Sequence, residues 1–290
     1  MHEGETAVSP GLATRLVAEH FPQWAGLRLR PVGVAGSDNV MIRLGDELVL
    51  RFPRLAGAAA ALTVETRWLA WVAGKVPFAV PEVVAVGRPG CGYARPWAVM
   101  RWISGKDALA APVDDMAAGR ALAGFVAALR GTPLPDGVPI KRENLASRDA
   151  FLRQMIGHFR DEADPHLVTR VWESALALPE WTDSPVLVHA DLHPLNLITR
   201  GGTLAAVIDW GAFGAGDPAL DLICGWTILE PAGRAEFRQL LAVDDATWAR
   251  GWAYAFSKAV MAAPYYRDTN PALRRVMLST LHRCLADRPE

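Results

Sequence analysis

The chain has 290 residues, of which 51% are hydrophobic and 21% charged, and its formal net charge is −1. This composition excludes an intrinsically disordered chain, and the near neutrality argues against nucleic-acid binding, since such domains are usually basic. The length suggests two domains or two lobes, and no apolar run approaches the roughly 20 residues that a membrane-spanning helix needs.

The first hundred residues alternate short apolar runs with turn residues, which is typical of an antiparallel sheet. An amphipathic helix over residues 12–21, ended by Pro22, precedes these runs. Strands are predicted at residues 27–34, 40–44, 48–52, 82–86 and 98–103. The Ala- and Leu-rich segment 56–75 predicts one inserted helix, which Pro77 and Pro81 end.

After Gly105 the hydrophobic pattern becomes helical. Helices are predicted at residues 114–129, 148–162, 167–178, 219–229, 234–241, 247–262 and 271–286, with N-caps at Asp114, at Ser147 and at Asp244 or Asp245. Strand-like runs at 186–189, 197–199 and 205–208 interrupt them, and the last two form a hairpin. The expected fold class is therefore α+β, with an N-terminal domain over residues 1–104 and a helical C-terminal domain over residues 105–290.

Charge divides unevenly between these two parts. Residues 1–104 hold 11 basic and 8 acidic side chains, a net of +3, and residues 105–290 hold 19 and 23, a net of −4. A basic domain suits a nucleotide, and an acidic domain suits carboxylates that hold a cation. This difference in net charge is small, so it supports the evidence from the motifs described below but could not stand in its place.

The polar residues that suggest chemistry lie between positions 186 and 222. Asn196 follows Asp191 by five residues, and Asp209 follows Asn196 by 13. Phosphoryl transfer needs Mg²⁺, which prefers carboxylate and amide oxygens, and a carboxylate that orients the acceptor hydroxyl and takes its proton. Such residues are common in ordinary turns when they occur singly. As an ordered set they predict a phosphoryl-transfer site.

This segment resembles the aminoglycoside phosphotransferase family, a small-molecule branch of the protein-kinase-like fold. The family patterns H-G-D-x-x-x-x-N, I-D-[WF] and G-D-P-x-x-D-L stand here as HADLHPLN, IDW and GDPALDL. The resemblance implies a two-lobe kinase-like fold whose lobes share one site near a hinge at residue 103. It also implies Asp191 as the catalytic base, with Asn196 and Asp209 as Mg²⁺ ligands.

The resemblance assigns loop-bracing roles to His189, Asp217 and Asp221, although Asp217 before a proline is also expected as a plain helix N-cap. Ala190 departs from the family pattern, which has Gly at this position. Because a Cβ disfavours positive φ, we expect Ala190 to take a right-handed or extended conformation.

The N-terminal domain has a weak Gly-rich signal between two predicted strands, GVAGSDN at residues 33–39. Its backbone N–H groups and Ser37 would contact phosphates, and an ordinary hairpin turn is the alternative. Arg51 occupies the position of the third-strand Lys of protein kinases, and Glu65 on the helix is its expected partner. The alternative is an exposed strand Arg that pairs with Glu47.

By resemblance, Met100 precedes the hinge, and backbone groups of Arg101 and Ile103 bind the purine edge. Because backbone groups would recognise the base, the sequence does not distinguish ATP from GTP as the phosphoryl donor. The expected enzyme is a phosphotransferase that uses ATP or GTP to phosphorylate a hydroxyl of a small molecule. An aminoglycoside-type antibiotic is the first choice of acceptor, with antibiotic resistance as the consequence. The alternatives are a macrolide, a metabolite such as an amino sugar or homoserine, a non-catalytic nucleotide-binding pseudo-kinase and a structural protein without a ligand.

A polycationic acceptor would need acidic side chains, and an apolar acceptor would need aromatic ones. The candidate acids are Asp161, Glu162, Glu230 and Asp268, although acids on helices usually lie on solvated faces. The candidate aromatic residues, which at helical spacing also fit a protein core, are Trp226, Trp248, Trp252, Tyr254, Phe256, Tyr265 and Tyr266.

The N-terminal sequence MHEGETAVSP has acidic residues where a signal peptide has cations. The cysteines Cys91, Cys224 and Cys284 show neither zinc nor disulfide spacing. We therefore expect a cytoplasmic monomer or weak dimer. Its expected partners are a nucleoside triphosphate and a small hydroxyl acceptor, with no nucleic acid and no membrane.

Overall fold

The structure, a computed structural model, describes residues 8–32, 38–159 and 162–288. The chain divides into two compact units that are not continuous in sequence. The first contains the described residues up to 74, together with 79–104 and 207–212, and the second contains the remainder. None of the helices in these ranges is long and apolar enough to cross a membrane.

The first unit is built on a five-stranded antiparallel sheet with the strand order β1-β2-β3-β5-β4. Its strands are β1 (Leu29–Pro31), β2 (Asn39–Leu44), β3 (Leu48–Pro53), β4 (Val83–Gly87) and β5 (Trp97–Arg101). Helix α1 (Pro10–His20) precedes the sheet, and α2 (Ala56–Val72) lies between β3 and β4 in the chain. The predicted antiparallel sheet with one inserted helix is confirmed.

Strand β3 is central, and all six of its residues are buried. Because side chains alternate between the faces of a strand, Leu48, Leu50 and Phe52 share one face. They pack with Leu16 of α1 in a hydrophobic cluster. Arg51 lies on the opposite face, where a buried cation requires a partner.

The second unit is mainly helical. Its helices are α3 (Asp115–Gly131), α4 (Leu145–Ile156), α5 (Pro165–Leu176), α6 (Cys224–Thr227), α7 (Pro231–Leu241), α8 (Asp245–Tyr265) and α9 (Pro271–Ala286). Helix α8 is buried over most of its surface, since it contacts α4, α5, α6 and α9. Trp252 and Phe256, one turn apart on α8, stack with 5.7 Å between ring centroids. Trp252 and Phe256 therefore belong to the protein core, which is one of the two interpretations given above for the aromatic residues; the other is an acceptor pocket.

Short strands carry the polar segment of the second unit. Strand β7 (Val186–Val188) pairs with β10 (Gly214–Gly216), and β8 (Leu197–Arg200) lies between β6 (Lys106–Asp107) and β9 (Thr203–Val207). Gly201 and Gly202 join β8 to β9 with φ of 57° and 78°, as a two-residue hairpin turn requires. The predicted hairpin is confirmed. Strands β6 and β10 were not predicted, because two or three residues are too few to show alternation.

Two predicted helices differ from those observed. The helix predicted at 148–162 is α4, and its N-cap is Asn144, whose side chain accepts the Ser147 backbone N–H at 2.9 Å. Ser147 is therefore not the N-cap but the N3 residue of a capping box, in which its side chain accepts the Asn144 backbone N–H. The helix predicted at 219–229 is a 3₁₀ segment, Pro218–Ile223, followed by α6. The predicted N-caps Asp114 and Asp244 are confirmed.

Candidate active site

In the first unit, Arg51 is the centre of a buried ion-pair network. Its Nη1 donates to Glu65 Oε2 at 2.5 Å, and its Nη2 donates to Asp209 Oδ1 at 3.0 Å. The other Glu65 oxygen accepts the backbone N–H of Trp210 at 2.7 Å. The Glu65 side chain is fully buried and that of Arg51 is 8% exposed, whereas that of Asp209 is 45% exposed. The expected Arg51–Glu65 pair is present.

Arg51 remains charged in this network. Burial lowers the pKa of the guanidinium, but the negative charges of Glu65 and Asp209 outweigh burial and leave the pKa above its usual value. Glu47, the alternative partner, binds Arg101 at 3.1 Å instead. A planar guanidinium presents paired N–H donors to carboxylates and phosphates, which suits Arg51 to a site of anionic oxygens.

Asp209 has a left-handed backbone conformation with φ of 63°. Such conformations are uncommon outside glycine, although Asp tolerates them better than most residues. They persist where the surrounding structure imposes them, often at functional positions. Here the Arg51 contact to Oδ1 holds the carboxylate while much of it stays exposed.

In the second unit, Asp221 anchors the loop that carries Asp191. Its Oδ2 accepts the His189 backbone N–H at 2.9 Å, and its Oδ1 accepts that of Ala190 at 2.7 Å. Burial raises the pKa of Asp221 to about 6, against the opposing effect of these two hydrogen bonds. His189 Nδ1 in turn accepts the Asp191 backbone N–H at 3.2 Å. The backbone on the N-terminal side of Asp191 is thereby held in place.

Ala190 adopts the conformation that its Cβ disfavours. Its φ is 64°, so the expectation of a right-handed or extended backbone is wrong. Asp221 accepts hydrogen bonds from two successive backbone N–H groups, and these bonds impose this geometry on the loop. A left-handed conformation costs an L-residue about 1–2 kcal/mol. The loop therefore stores strain that the glycine of the family pattern would relieve.

We expect Ala190→Gly to stabilise the protein. Glycine removes the left-handed strain but increases the entropy of the unfolded chain, so the net gain in unfolding free energy is about 0.5–1 kcal/mol. Ala127→Gly, at an exposed position of α3, is the matched control and should lose about 1 kcal/mol. Urea unfolding measures both changes. A loss of stability in Ala190→Gly would contradict the strain argument.

Asp191 is held by partners from the loop and from α8. Lys258 Nζ, on α8, donates to Asp191 Oδ1. Asn196 Nδ2 donates to the Asp191 backbone carbonyl at 2.9 Å and to Oδ2 at 3.1 Å. His193 Nε2 lies 3.8 Å from Oδ2. The carboxylate is fixed in one orientation, and 26% of the side chain remains exposed.

The Asp191 carboxylate is ionised at neutral pH. Burial raises its pKa, but the positive charge of Lys258 and the neighbouring His193 outweigh burial and hold the pKa well below its usual range. An ionised carboxylate only accepts hydrogen bonds, so Asp191 can orient a hydroxyl through its O–H group.

Asp217 has two structural roles in the second unit. Its Oδ1 accepts the Ala219 N–H at 2.9 Å, which makes it the N-cap of the 3₁₀ segment. Its Oδ2 accepts a hydrogen bond from Arg250 Nε, also at 2.9 Å, and both side chains are buried. The second role was not predicted, because 33 residues separate the pair in sequence. Asp217 therefore ties the 3₁₀ segment to α8.

A cavity of about 370 Å³ lies beside the Asp191 loop, within the second unit. This volume lies within the range of about 300–1,000 Å³ that is usual for small-molecule sites. Residues of α4 and of the segment just before it, of the loop, of the 3₁₀ segment and of α8 line it, among them Glu143, Arg148, Phe151, Ala190, Tyr254 and Lys258. Of the predicted aromatic residues, Tyr254 lines the cavity.

Lys258 and Arg148 were not predicted from the sequence. Lys258 is the one charged residue in the α8 segment YAFSKAVM, residues 254–261. A single cation in a buried helix requires a partner, so this pattern could have revealed it. Arg148 has no such signal on the more polar helix α4. Its guanidinium lies 4.9 Å from the Tyr254 ring centroid, and its Nη1 donates to Ser257 Oγ at 2.9 Å.

The other predicted nucleotide residues have mixed outcomes. Met100 is buried on β5. The Arg101 backbone N–H donates to the Glu82 carbonyl at 2.9 Å, so it is not available to a purine. The backbone of Ile103 makes no hydrogen bond within the described ranges. Ser37 lies outside the described residues, with most of the Gly-rich segment.

The predicted acids do not gather around the cavity. Glu162 accepts hydrogen bonds from two arginines, Glu230 pairs with an arginine of α9, and Asp268 is exposed. None of these three lines the cavity, and Asp161 lies outside the described residues. These acids are partners of arginines or solvated surface groups.

Comparison with known proteins identifies one family. A profile of the phosphotransferase enzyme family matches residues 28–256, which is most of the chain. No curated protein sequence matches it.

Several solved structures share the fold. The GDP complex of aminoglycoside 2'-phosphotransferase-IIIa aligns with a TM-score of 0.74 and 22% identity, covering 94% of this chain and 97% of that one. APH(2")-IIa in ternary complex with streptomycin and ATP aligns with a TM-score of 0.63 and 15% identity, covering 98% and 99%. Macrolide 2'-phosphotransferase MphH from Brachybacterium faecium aligns with a TM-score of 0.62 and 23% identity, covering 93% and 97%. These similarities confirm the predicted fold class.

Proposed function

Because the chain belongs to the phosphotransferase enzyme family, we propose that it transfers the terminal phosphoryl group of a nucleoside triphosphate to a hydroxyl group of a small molecule. The observation that carries this proposal is the Asp191 carboxylate, ionised and held in one orientation beside a cavity of about 370 Å³. A carboxylate so placed can receive the acceptor hydroxyl.

In the proposed reaction, the acceptor hydroxyl donates a hydrogen bond to an oxygen of Asp191. The hydroxyl oxygen then forms a bond to the terminal phosphorus, the nucleoside diphosphate leaves, and the hydroxyl proton passes to Asp191. Because the transition state is loose, the proton moves late, when the hydroxyl has become acidic, and a weakly basic carboxylate suffices. Asn196 and Lys258 keep Asp191 in position.

The family resemblance implies Mg²⁺, and the available donor atoms fit it. The exposed carboxylate of Asp209 is a hard oxygen ligand, and Asn196, which uses Nδ2 for Asp191, keeps its amide oxygen for a ligand role. The described residues contain no cluster of three His, Cys, Asp or Glu for a metal. Mg²⁺ usually takes one or two protein oxygens together with phosphate oxygens and water, so Asp209 of the first unit and Asn196 of the second are each proposed as a ligand. The bound ion would neutralise charge on the phosphates.

The nucleotide would be held by the first unit. Arg51, kept in place by Glu65, is the proposed contact to the phosphates, because it presents a buried, permanently charged fork of N–H donors. Ile103, whose backbone makes no hydrogen bond within the described ranges, is the proposed contact to the base. Ser37 and Met100 stay predictions.

The acceptor class of first choice remains an aminoglycoside-type antibiotic, supported by the fold shared with an enzyme solved with streptomycin. A macrolide is the second choice, supported by the fold shared with a macrolide phosphotransferase. A metabolite kinase is the remaining choice. We further propose a cytoplasmic monomer or weak dimer, in which Cys91, Cys224 and Cys284 are free thiols.

The test is the release of ADP or GDP by the purified protein, measured by a coupled assay with a panel of hydroxyl acceptors. We expect release that requires both Mg²⁺ and an acceptor. If the protein binds nucleotide but shows no turnover with any acceptor of the panel, the result would instead support the pseudo-kinase alternative. A thermal-shift scan that shows no response to ATP or GTP would support a structural protein without a ligand.

A further inference from the structure

The cavity beside Asp191 contains more basic than acidic side chains. Arg148 and Lys258 both line it, and among the described lining residues Glu143 alone is acidic. Lys141 lies close enough to Glu143 and Asp191 for their charges to act on its ammonium, and it is half-buried. This is the opposite of the acid-lined cleft that a polycationic acceptor requires.

Arg148 is held in place but is not fully used. Its Nη1 binds Ser257, and the Tyr254 ring packs against the guanidinium. Its contact with Glu143 is weak, because Nη2 lies 3.4 Å from a carboxylate that is 48% exposed. Its Nε is buried and has no hydrogen-bond partner within the described ranges. A guanidinium has five N–H donors, so Nη1 and Nη2 keep N–H groups that can bind an anion in the cavity.

Lys258 also has spare donors. Its ammonium has three N–H groups, and Asp191 is its one partner in the described part of the chain. The Lys258 side chain is 22% exposed, and it lines the same cavity as Arg148. Lys258 can therefore hold Asp191 and a second oxygen together.

We infer that the acceptor carries an anionic group, a carboxylate or a phosphate, in addition to the hydroxyl that is phosphorylated. The anionic group binds Arg148 and Lys258, and the hydroxyl faces Asp191. A polycation in this cavity would meet Arg148 and Lys258, with Lys141 nearby, against the carboxylates of Glu143 and Asp191. This inference rests on the proposed function, and it orders the acceptor classes differently: a hydroxy acid or sugar acid comes before an aminoglycoside.

The test compares acceptors that differ in charge. Gluconate and glycerate are the anionic probes, glucitol and glycerol are their neutral counterparts, and kanamycin is the polycation. Because a hydrogen bond to a charged group is worth more than a neutral one, we expect kcat/KM to be about 10–100-fold higher for each anionic probe than for its neutral counterpart. The measured quantity is phosphorylated product, so hydrolysis of nucleotide does not interfere.

A matched pair of variants locates the effect. Arg148→Gln should raise KM for the anionic probes about tenfold or more and change KM for the neutral probes by a much smaller factor. Arg153→Gln, on the same helix but 42% exposed and paired with Asp149, should leave all probes unchanged. Arg148→Lys keeps the charge and should retain most of the preference for anions, which separates lost charge from lost folding.

The outcomes distinguish this inference from the proposed function. Preferential phosphorylation of kanamycin, or equal use of anionic and neutral probes, overturns the inference and leaves the kinase proposal in place. If no probe is phosphorylated but nucleotide hydrolysis still depends on Asp191, the inference is likewise overturned and the kinase proposal stays in place. Absence of both turnover and Asp191-dependent hydrolysis overturns the proposed function, and the inference with it.

Discussion

Replacing Asp191 by Asn is expected to lower kcat for acceptor phosphorylation by about 10²–10⁴-fold, which is the usual contribution of a general acid–base group. Asparagine has the same size, but it neither carries the negative charge that orients the hydroxyl nor accepts its proton. The contact with Lys258 is weakened as well, because an amide is a poorer partner for an ammonium than a carboxylate. KM for the nucleotide should stay within a few-fold, since Asp191 itself is not among the proposed contacts to the nucleotide or Mg²⁺.

The matched control is Asp183→Asn, the same substitution at an exposed position, which should leave kcat unchanged. Thermal unfolding of Asp191→Asn shows whether lost activity reflects lost folding. If a folded Asp191→Asn enzyme turns over an identified acceptor at the normal rate, the proposed mechanism is wrong.

Replacing Arg51 by Met is expected to reduce the free energy of unfolding by about 3–5 kcal/mol, because it leaves the Glu65 carboxylate buried without a cation. It should also raise KM for the nucleotide, because the proposed phosphate contact is lost. Arg101→Met is the control: Arg101 is 46% exposed and its ion pairs lie at the surface. Such pairs contribute no more than about 1 kcal/mol.

The double variant Arg51→Met with Glu65→Gln separates the two effects. Glutamine removes the buried charge and keeps an oxygen for the Trp210 N–H, so most of the stability should return. KM for the nucleotide should remain raised, because no guanidinium is present. If nucleotide KM returns to normal in the double variant, Arg51 supports the fold and does not bind phosphate. Urea unfolding and initial-rate kinetics supply the two measurements.

The parts of this protein that sequence reasoning predicted are local in the chain. The antiparallel sheet follows from short apolar runs and turn residues, and the β8–β9 hairpin from the Gly201-Gly202 turn. Asp191 and Asn196 lie in one loop, where the motif spacing is enough to relate them. The Arg51–Glu65 pair was also predicted, although 14 residues separate the two.

The features that the sequence did not show share a cause, which is a partner distant in sequence. Ala190 is left-handed because Asp221, 31 residues away, binds its N–H. The Arg101 N–H is occupied by the Glu82 carbonyl, which a reading of the hinge alone does not show. Glu162 was a candidate for the acceptor site but is bound by arginines that follow it by more than 100 residues.

Turn chemistry and motif spacing act over a few residues, and they are enough to predict the fold class, the family and the ordered set of Asp191, Asn196 and Asp209. The surroundings of that set depend on tertiary packing. Lys258 meets Asp191 across 67 residues, and Arg148 meets Ser257 across 109. These contacts depend on how α4 and α8 pack, which no local pattern encodes. The charge of the cavity, and with it the expected class of acceptor, follows from that packing.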